Sequence, residues 1–512
     1  MSSKKQLAVN FLAQILFSFI NLTISFFLVP HIVESLSTSA YAFINLSNDI
    51  VNYATLITVA LNSIAGRYIT LEIHKKKYKE ANIYYNSVLM SNIIMSVVLF
   101  IPMIIFIIFI DSFLNVPVNL VSDVRILFLI VFINFIMSLI TSVFSSTTFI
   151  TNKLYLSSIA SIFSQVARCL VLLFLFGLFK TNVWFVGAAS FASTLIIAIS
   201  NYVFTRKLLP QLKIDFKQFN MKYTIEMLKN GIWNSVSRLS GILQTGLDLL
   251  LSNVFIGAVA MGIISLPRTI TSIVFSLFGS ISSIFNPNIM QAYALNDYQS
   301  IKKQLLFAIK FTGTISNAFV AVFLTMGIHF YSLWVPTENA NFLYFLSVIS
   351  MISFVISLPL EPVYCVHTSA NKIKQPALVA LGLSVLTVLI VILGVMFIED
   401  DNIKLLLIYG TSTITSIFKN IIYIPIYTAK IINEKWTLLY PSIFKNMLIV
   451  LCTSALGLVL KNFMWYSSWL LFFTTCAILA IIFLYINFMI NFNQDEKKEF
   501  LKIFKKARKM LN

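Results

Sequence analysis

The sequence has little charge. Asp, Glu, Lys and Arg make up 11% of 512 residues, against the roughly 25% of an ordinary soluble chain. With 58% hydrophobic residues and a mean hydropathy of +0.88, the chain reads as a polytopic membrane protein and not as a string of soluble domains. Acid is scarcest: 19 Asp and Glu stand against 37 Lys and Arg, a net charge of +18. The basic residues fall in short gaps between long apolar runs, so their partner is an anionic membrane surface and no nucleic acid is expected. Only four cysteines occur (Cys169, Cys365, Cys452 and Cys476), all inside apolar runs and without histidines at ligand spacing. That excludes a disulfide framework and a zinc site; no metal and no cofactor is expected. The apolar stretch from Leu7 to about Val29 lacks a small-residue cleavage site and is too long for a signal sequence. It reads as a first span that stays.

A helix needs about 20 residues to cross a hydrocarbon core of about 30 Å. Fourteen candidate spans follow, near 7–30, 41–66, 83–110, 121–148, 155–178, 182–205, 228–256, 261–290, 303–330, 337–365, 375–398, 402–428, 438–461 and 467–491. The gaps on one side collect 27 basic residues, the run from His74 to Lys79 among them, and the opposite gaps hold only Arg125, Lys180, Lys404 and Lys461. By the positive-inside rule both termini are cytoplasmic, which fits a bacterial cytoplasmic membrane. In the cytoplasmic linker, Leu212, Phe216, Phe219 and Tyr223 fall at helical spacing among lysines. The tail repeats this with Phe500, Ile503, Phe504, Ala507 and Leu511. Both segments are expected as amphipathic helices on the anionic inner leaflet.

The chain also repeats itself. A shift of 220 residues lays Asn10 on Asn230, Ala40 on Ala260, Leu46 on Leu266, Ser63 on Ser283 and Tyr78 on Tyr298. At 219, Val116-Pro117 meets Val335-Pro336 and Asn152-Lys153 meets Asn371-Lys372. Six spans is an even number, so the two copies share one topology. The expected fold is all-α, with two six-helix lobes in parallel repeat and two further C-terminal helices. Its parts are an N-lobe over 1–205, an amphipathic linker over 206–227, a C-lobe over 228–428, two spans over 429–491 and a basic tail over 492–512.

Ionised residues at the centre of a span cost about 2.5–3.5 kcal/mol each on insertion scales. Lys310, Glu361 and Lys445 lie near cytoplasmic ends and are expected to snorkel. The deep ones are Asp49, Arg168, Arg238, Asp248, Arg268 and Lys419. An ion pair between Asp49 and Arg268 is the structural alternative, but two deep acids cannot neutralise four deep cations. The surplus points to an anionic ligand, and arginine suits phosphate because its planar fork donates two parallel hydrogen bonds. Asp49 and Asp248 are candidates for ion coupling or gating. Neutral polar residues such as Asn10, Gln14, Asn48 and Asn234 concentrate in spans 1, 2, 7 and 8, as expected of helices facing a hydrated space.

The 6 + 6 + 2 plan, the opening Asn10-Phe-Leu-Ala-Gln14, the Asn-Lys dipeptides after spans 4 and 10, and Asn230-Gly-Ile-Trp-Asn234 carry a resemblance. The chain resembles the multidrug/oligosaccharidyl-lipid/polysaccharide (MOP) exporter superfamily, and within it the polysaccharide repeat-unit (O-antigen or capsule) flippases. The resemblance implies a MATE-like fold, alternating access and an undecaprenyl-diphosphate-linked oligosaccharide as cargo. It also implies that Arg168, Arg238, Arg268 and Lys419 contact the anionic part of that cargo, beside Asn10, Gln14, Asn48 and Asn234. A polysaccharide polymerase and other biosynthesis proteins are the implied protein partners. Lipid II flippases share the fourteen spans and the cationic cavity and stay as an alternative. Drug/cation antiporters of the superfamily fit less well, because the first span carries no acid. A membrane polymerase or glycosyltransferase fits least: the outer gaps are short, no Asp-x-Asp motif lies in a loop, and no catalytic residue is assigned.

Overall fold

The computed structural model describes residues 20, 23–24, 26–463, 468–494 and 496–497. In lipid a backbone has no water to bond, so spanning segments close their hydrogen bonds internally and become helices. The described residues are helical nearly throughout and contain no strand. In chain order the helices are α1 (Phe26–Leu36), α2 (Thr38–His74), α3 (Tyr78–Ile108), α4 (Val121–Ile150), α5 (Leu154–Leu178) and α6 (Trp184–Leu208). Then come α7 (Met221–Gly241), a π-turn (Ile242–Gly246), α8 (Asp248–Phe255), α9 (Ala258–Ser282), α10 (Asn286–Ala294), α11 (Tyr298–Trp334), α12 (Ala340–Leu360) and α13 (Val363–Ser369). The last are α14 (Lys374–Phe397), α15 (Asp401–Phe418), a second π-turn (Lys419–Tyr423), α16 (Ile424–Ile431), α17 (Tyr440–Leu460) and α18 (Trp469–Asn491).

Among the described residues, twelve helices are long and apolar enough to cross a membrane. They correspond to all the expected spans except the first and the seventh. Most of the first lies outside the described residues. The seventh forms α7, the π-turn and α8, but Lys229, Asn230, Asn234, Ser237 and Arg238 make it more polar than the others.

The internal repeat is visible in the helix boundaries. A shift of 220 carries Thr38–His74 onto the helical run Ala258–Ala294, and the start of α3 at Tyr78 onto the start of α11 at Tyr298. Helix ends match as well. Lys76 and Asn296 have φ of 60° and 54°, and Asn152 and Asn371 have 54° and 52°. These residues occupy the left-handed position that ends a helix, which asparagine tolerates better than most side chains. Each end closes with the same six-residue bond, such as Lys153 N to Thr148 O at 2.8 Å and Lys372 N to His367 O at 2.9 Å.

Contacts divide the chain into two compact units. Unit 1 comprises Met1–Leu266 and Ala377–Tyr409. In it α4 packs along α6, α2 along α7, and α3 along both α2 and α4. Its apolar core includes Leu61, Ile69, Tyr85, Leu89, Val143 and Met227. Unit 2 comprises Pro267–Pro376 and Gly410–Asn512, with α11 packed on α12, α17 and α18. A buried asparagine cluster fastens the last two of these. Asn317 Nδ2 donates to Asn446 Oδ1 at 2.9 Å and to Asn487 Oδ1 at 3.2 Å, and Asn491 Nδ2 donates to Thr314 Oγ1 at 3.2 Å.

The linker corrects an expectation. Between Leu208 and Met221 it is not an amphipathic helix; its one helical turn is Phe216–Gln218. Pro210 lacks an N–H and disfavours helix in the residue before it. The backbone beyond is taken by α3. Asn82 donates to Gln211 O at 2.7 Å and accepts from Lys213 N at 2.8 Å. One turn on, Asn86 donates to Lys213 O at 2.9 Å and accepts from Asp215 N at 2.8 Å. Ser87 accepts from Asn220 N at 3.1 Å. Leu212 is accordingly buried in the unit 1 core and does not face lipid. The amphipathic tail expected around 500–511 lies outside the described residues.

Candidate functional site

The site is built on the middle of α2. Asn48, Asn52, Thr55 and Asn62 recur at helical spacing and share one face. A polar stripe at mid-span has to find protein partners or a cavity. Here it finds both. Asn62 Nδ2 donates to Asn92 Oδ1 of α3 at 3.1 Å, and Asn92 Nδ2 donates back to Asn62 Oδ1 at 3.0 Å. Ser142 of α4 closes the ring, accepting from Asn92 at 3.0 Å and donating to Asn62 Oδ1 at 3.1 Å. Beside the ring lies a cavity of about 530 Å³ between the middles of α2, α4 and α6. Its polar lining is Asn48, Thr55, Thr58, Asn62 and Ser63 of α2, Asn134, Ser138 and Ser142 of α4, and Thr194 of α6. Among the described residues, no lining residue is charged.

Helix α7 borders the same stretch of α2. It approaches closely because residue 231 is glycine: a Cβ there would collide with the Ala60 carbonyl. Asn234 Nδ2 donates to Ser63 Oγ at 2.9 Å, and Ser235 Oγ to Leu56 O at 3.2 Å. Arg238 Nη2 donates to Asn52 Oδ1 at 2.8 Å, which puts the guanidinium within one turn of the lining residues Asn48 and Thr55. Three residues singled out from sequence, Asn48, Asn234 and Arg238, thus meet around α2. Arg168 in α5 is not in the cavity lining. Its Nε is buried without a hydrogen-bond partner, as is Oε1 of Gln165 one turn earlier, and Tyr41 of α2 lies within electrostatic range. Among the described residues, neither Arg168 nor Arg238 has a carboxylate within salt-bridge distance. Asp49 and Asp248 belong to unit 1 and are engaged by other groups, and Asp248 is buried. Asn10 and Gln14 lie outside the described residues.

Unit 2 holds Arg268 and Lys419. Arg268 follows Pro267 in α9 and is engaged by other groups. Lys419 opens the second π-turn, and Glu361, between α12 and α13, lies within electrostatic range of it. Pro359 and Pro362 flank Glu361 and break the helix there. Glu361, expected to snorkel, thus places a carboxyl group within electrostatic range of the deep cation Lys419. Lys310, expected to snorkel, donates to both carboxylate oxygens of Glu496 beyond the end of α18, at 2.7 and 3.0 Å.

Residues 7–292 match the family model described as "Polysaccharide biosynthesis protein". The chain belongs to this polysaccharide biosynthesis family. Over 508 residues it is 25% identical to the "Uncharacterized membrane protein EpsK" of Bacillus subtilis (strain 168), covering 98% of this chain and 99% of that one. Among solved structures it is similar to the lipid II flippase MurJ in an inward closed conformation. That likeness has a TM-score of 0.62 at 13% identity, over 93% of this chain and 99% of MurJ. It is also similar to an inward-facing multidrug resistance MATE transporter of the MOP superfamily, with a TM-score of 0.61 at 14% identity over 81% and 94% of the two chains. The polysaccharide biosynthesis family member thus has the MOP-superfamily fold. Sequence reasoning misses the cavity residues that α4 and α6 contribute to it. Asn134, Ser138 and Ser142 are spaced four apart through the apolar middle of α4, and that spacing is the signal that marks them.

Proposed function

We propose that the protein is a flippase. It moves an undecaprenyl-diphosphate-linked oligosaccharide repeat unit across the bacterial cytoplasmic membrane by alternating access, for assembly of a surface polysaccharide such as O-antigen or capsule. The observation that carries this reading is the state of the two arginines of unit 1. Arg238 is held by a neutral amide and Arg168 keeps a buried Nε without a partner. A guanidinium partly buried without a carboxylate, as at Arg168, is costly, and a visiting diphosphate offsets that cost, while the exposed Arg238 is accessible to one. The uncharged polar cavity beside Arg238 supplies room for sugar. Family membership in polysaccharide biosynthesis and the fold shared with a lipid II flippase support the same direction. The basic loops, such as Lys75, Lys76 and Lys77, face the anionic cytoplasmic leaflet in this reading, with both termini on that side.

The test is complementation of a strain lacking its own repeat-unit flippase. Arg168→Ala and Arg238→Ala are expected to reduce surface polysaccharide severalfold at unchanged membrane abundance, and the double variant to abolish it. Full complementation by the double variant would show that the cargo does not need these cations.

A further inference from the structure

Several donors on the cavity wall are turned into the protein. Thr55 Oγ1 donates to Asn52 O at 2.6 Å, Thr58 Oγ1 to Thr55 O at 3.0 Å and Ser142 Oγ to Leu139 O at 2.8 Å. Asn48 Nδ2 donates to Ile44 O at 2.9 Å, and Asn62 Nδ2 to Thr58 O at 3.1 Å. Back-bonding of this kind leaves the hydroxyl oxygens of Thr55 and Thr58 free to accept, and leaves Asn48 one N–H and its amide oxygen. Asn134 adds a bare acceptor, since its Oδ1 is buried with no hydrogen-bond partner. Between the polar groups the wall is apolar, with Val51, Val59, Val131, Phe135 and Leu139.

A wall of this composition selects by chemistry. A ligand rich in O–H and N–H donors, with apolar C–H faces between them, satisfies both the acceptors and the apolar patches. A carboxylate or phosphate brings charge to a place where the described lining offers no cation, at a heavy desolvation cost. The volume of about 530 Å³ falls within the usual range for small-molecule sites, about 300–1,000 Å³. The middle of the spans is the depth at which transporters built from repeats hold cargo.

We propose that this cavity binds the uncharged, hydroxyl- and acetamido-bearing sugars of the cargo and rejects acidic sugars. The assignment rests on the lipid-linked saccharide reading above and adds the sugar class to it. The negative charge of the cargo is left to Arg238, one turn of α2 away.

The experiment is equilibrium binding to the purified full-length protein, with three probes. They are the methyl glycoside of a neutral N-acetylated disaccharide, the same disaccharide carrying a hexuronic acid, and sugarless undecaprenyl diphosphate. The neutral glycoside is expected to bind at least about tenfold more tightly than the acidic one. Asn134→Leu and the near-isosteric Thr194→Val are expected to weaken the neutral glycoside, Asn134→Leu by about tenfold. Both variants should hold the sugarless lipid as well as wild type does, which also reports that they are folded. Arg238→Ala should do the reverse, losing the lipid and keeping the glycoside. The cavity assignment is overturned if the neutral glycoside does not bind, if both cavity variants bind it like wild type, or if the acidic glycoside binds equally well. Glycoside binding that depends on Asn134, together with no binding of the lipid diphosphate, would overturn the carrier reading and leave the cavity assignment standing.

Discussion

Charge in the spans divides into groups that the protein itself neutralises and groups that it does not. Glu361 and Lys419 belong to the first kind, lying within electrostatic range of each other at a proline-flanked break and a π-turn. Removing either charge strands the other in a poorly hydrated place, so Glu361→Gln and Lys419→Met are each expected to lower the melting temperature in detergent. The double variant should recover much of the loss, with a coupling of about 0.5–3 kcal/mol in the double-mutant cycle. Strictly additive losses would show that the two do not interact. Arg168 and Arg238 belong to the second kind, and both were legible in the sequence because an arginine inside a span is rare. Their surroundings were not legible. Glu361 is close to a span end in sequence, which hides its approach to Lys419, a residue 58 positions away. Asn134 is one amide in a run of Ile, Phe and Leu, and only the spacing to Ser138 and Ser142 distinguishes it.

Among the elements, the linker departs most from its sequence pattern. Helical spacing of Leu212, Phe216, Phe219 and Tyr223 is outweighed by Pro210 and by two asparagines of α3 that take up backbone donors and acceptors. A neighbour that supplies hydrogen bonds is invisible to periodicity. Asn82→Ala combined with Asn86→Ala removes four such bonds, each contributing about 0.5–1.5 kcal/mol. Tryptic cleavage at Lys213 or Lys217 should rise at least about tenfold in this variant; an unchanged cleavage rate would mean that the linker is held by something else. The contact at the end of α18 depends on pH. Burial pushes the Glu496 carboxyl up, but hydrogen bonds from Lys310 and the Asn493 N–H, with the nearby ammonium groups, outweigh it and hold the group below its ordinary value. A depressed carboxyl stabilises the fold above the unfolded value of about 4.3, and that stabilisation is lost as pH falls through the lower folded value. Hydrogen exchange around 492–497 should therefore accelerate below about pH 4 in wild type and be fast at all pH values in Glu496→Gln. Equal pH profiles in the two proteins would remove Glu496 as the cause.

The whole molecule was the most legible level. Lipid allows few backbone solutions, so apolar runs translate directly into helices, and the repeat read from a few matched residues reappears as matching helix boundaries and left-handed caps. The seventh span, with Lys229, Asn230, Asn234, Ser237 and Arg238, is the described one that falls short of the apolarity of the rest. The central claim is that this member of the polysaccharide biosynthesis family moves an anionic lipid-linked saccharide. The most direct test is translocation in proteoliposomes loaded with undecaprenyl-diphosphate-linked oligosaccharide, read by its appearance in the opposite leaflet. Wild type is expected to accelerate translocation well above protein-free vesicles, and Arg168→Ala/Arg238→Ala to bring it back to that background. No acceleration by wild type, or undiminished translocation by the double variant, would contradict the account.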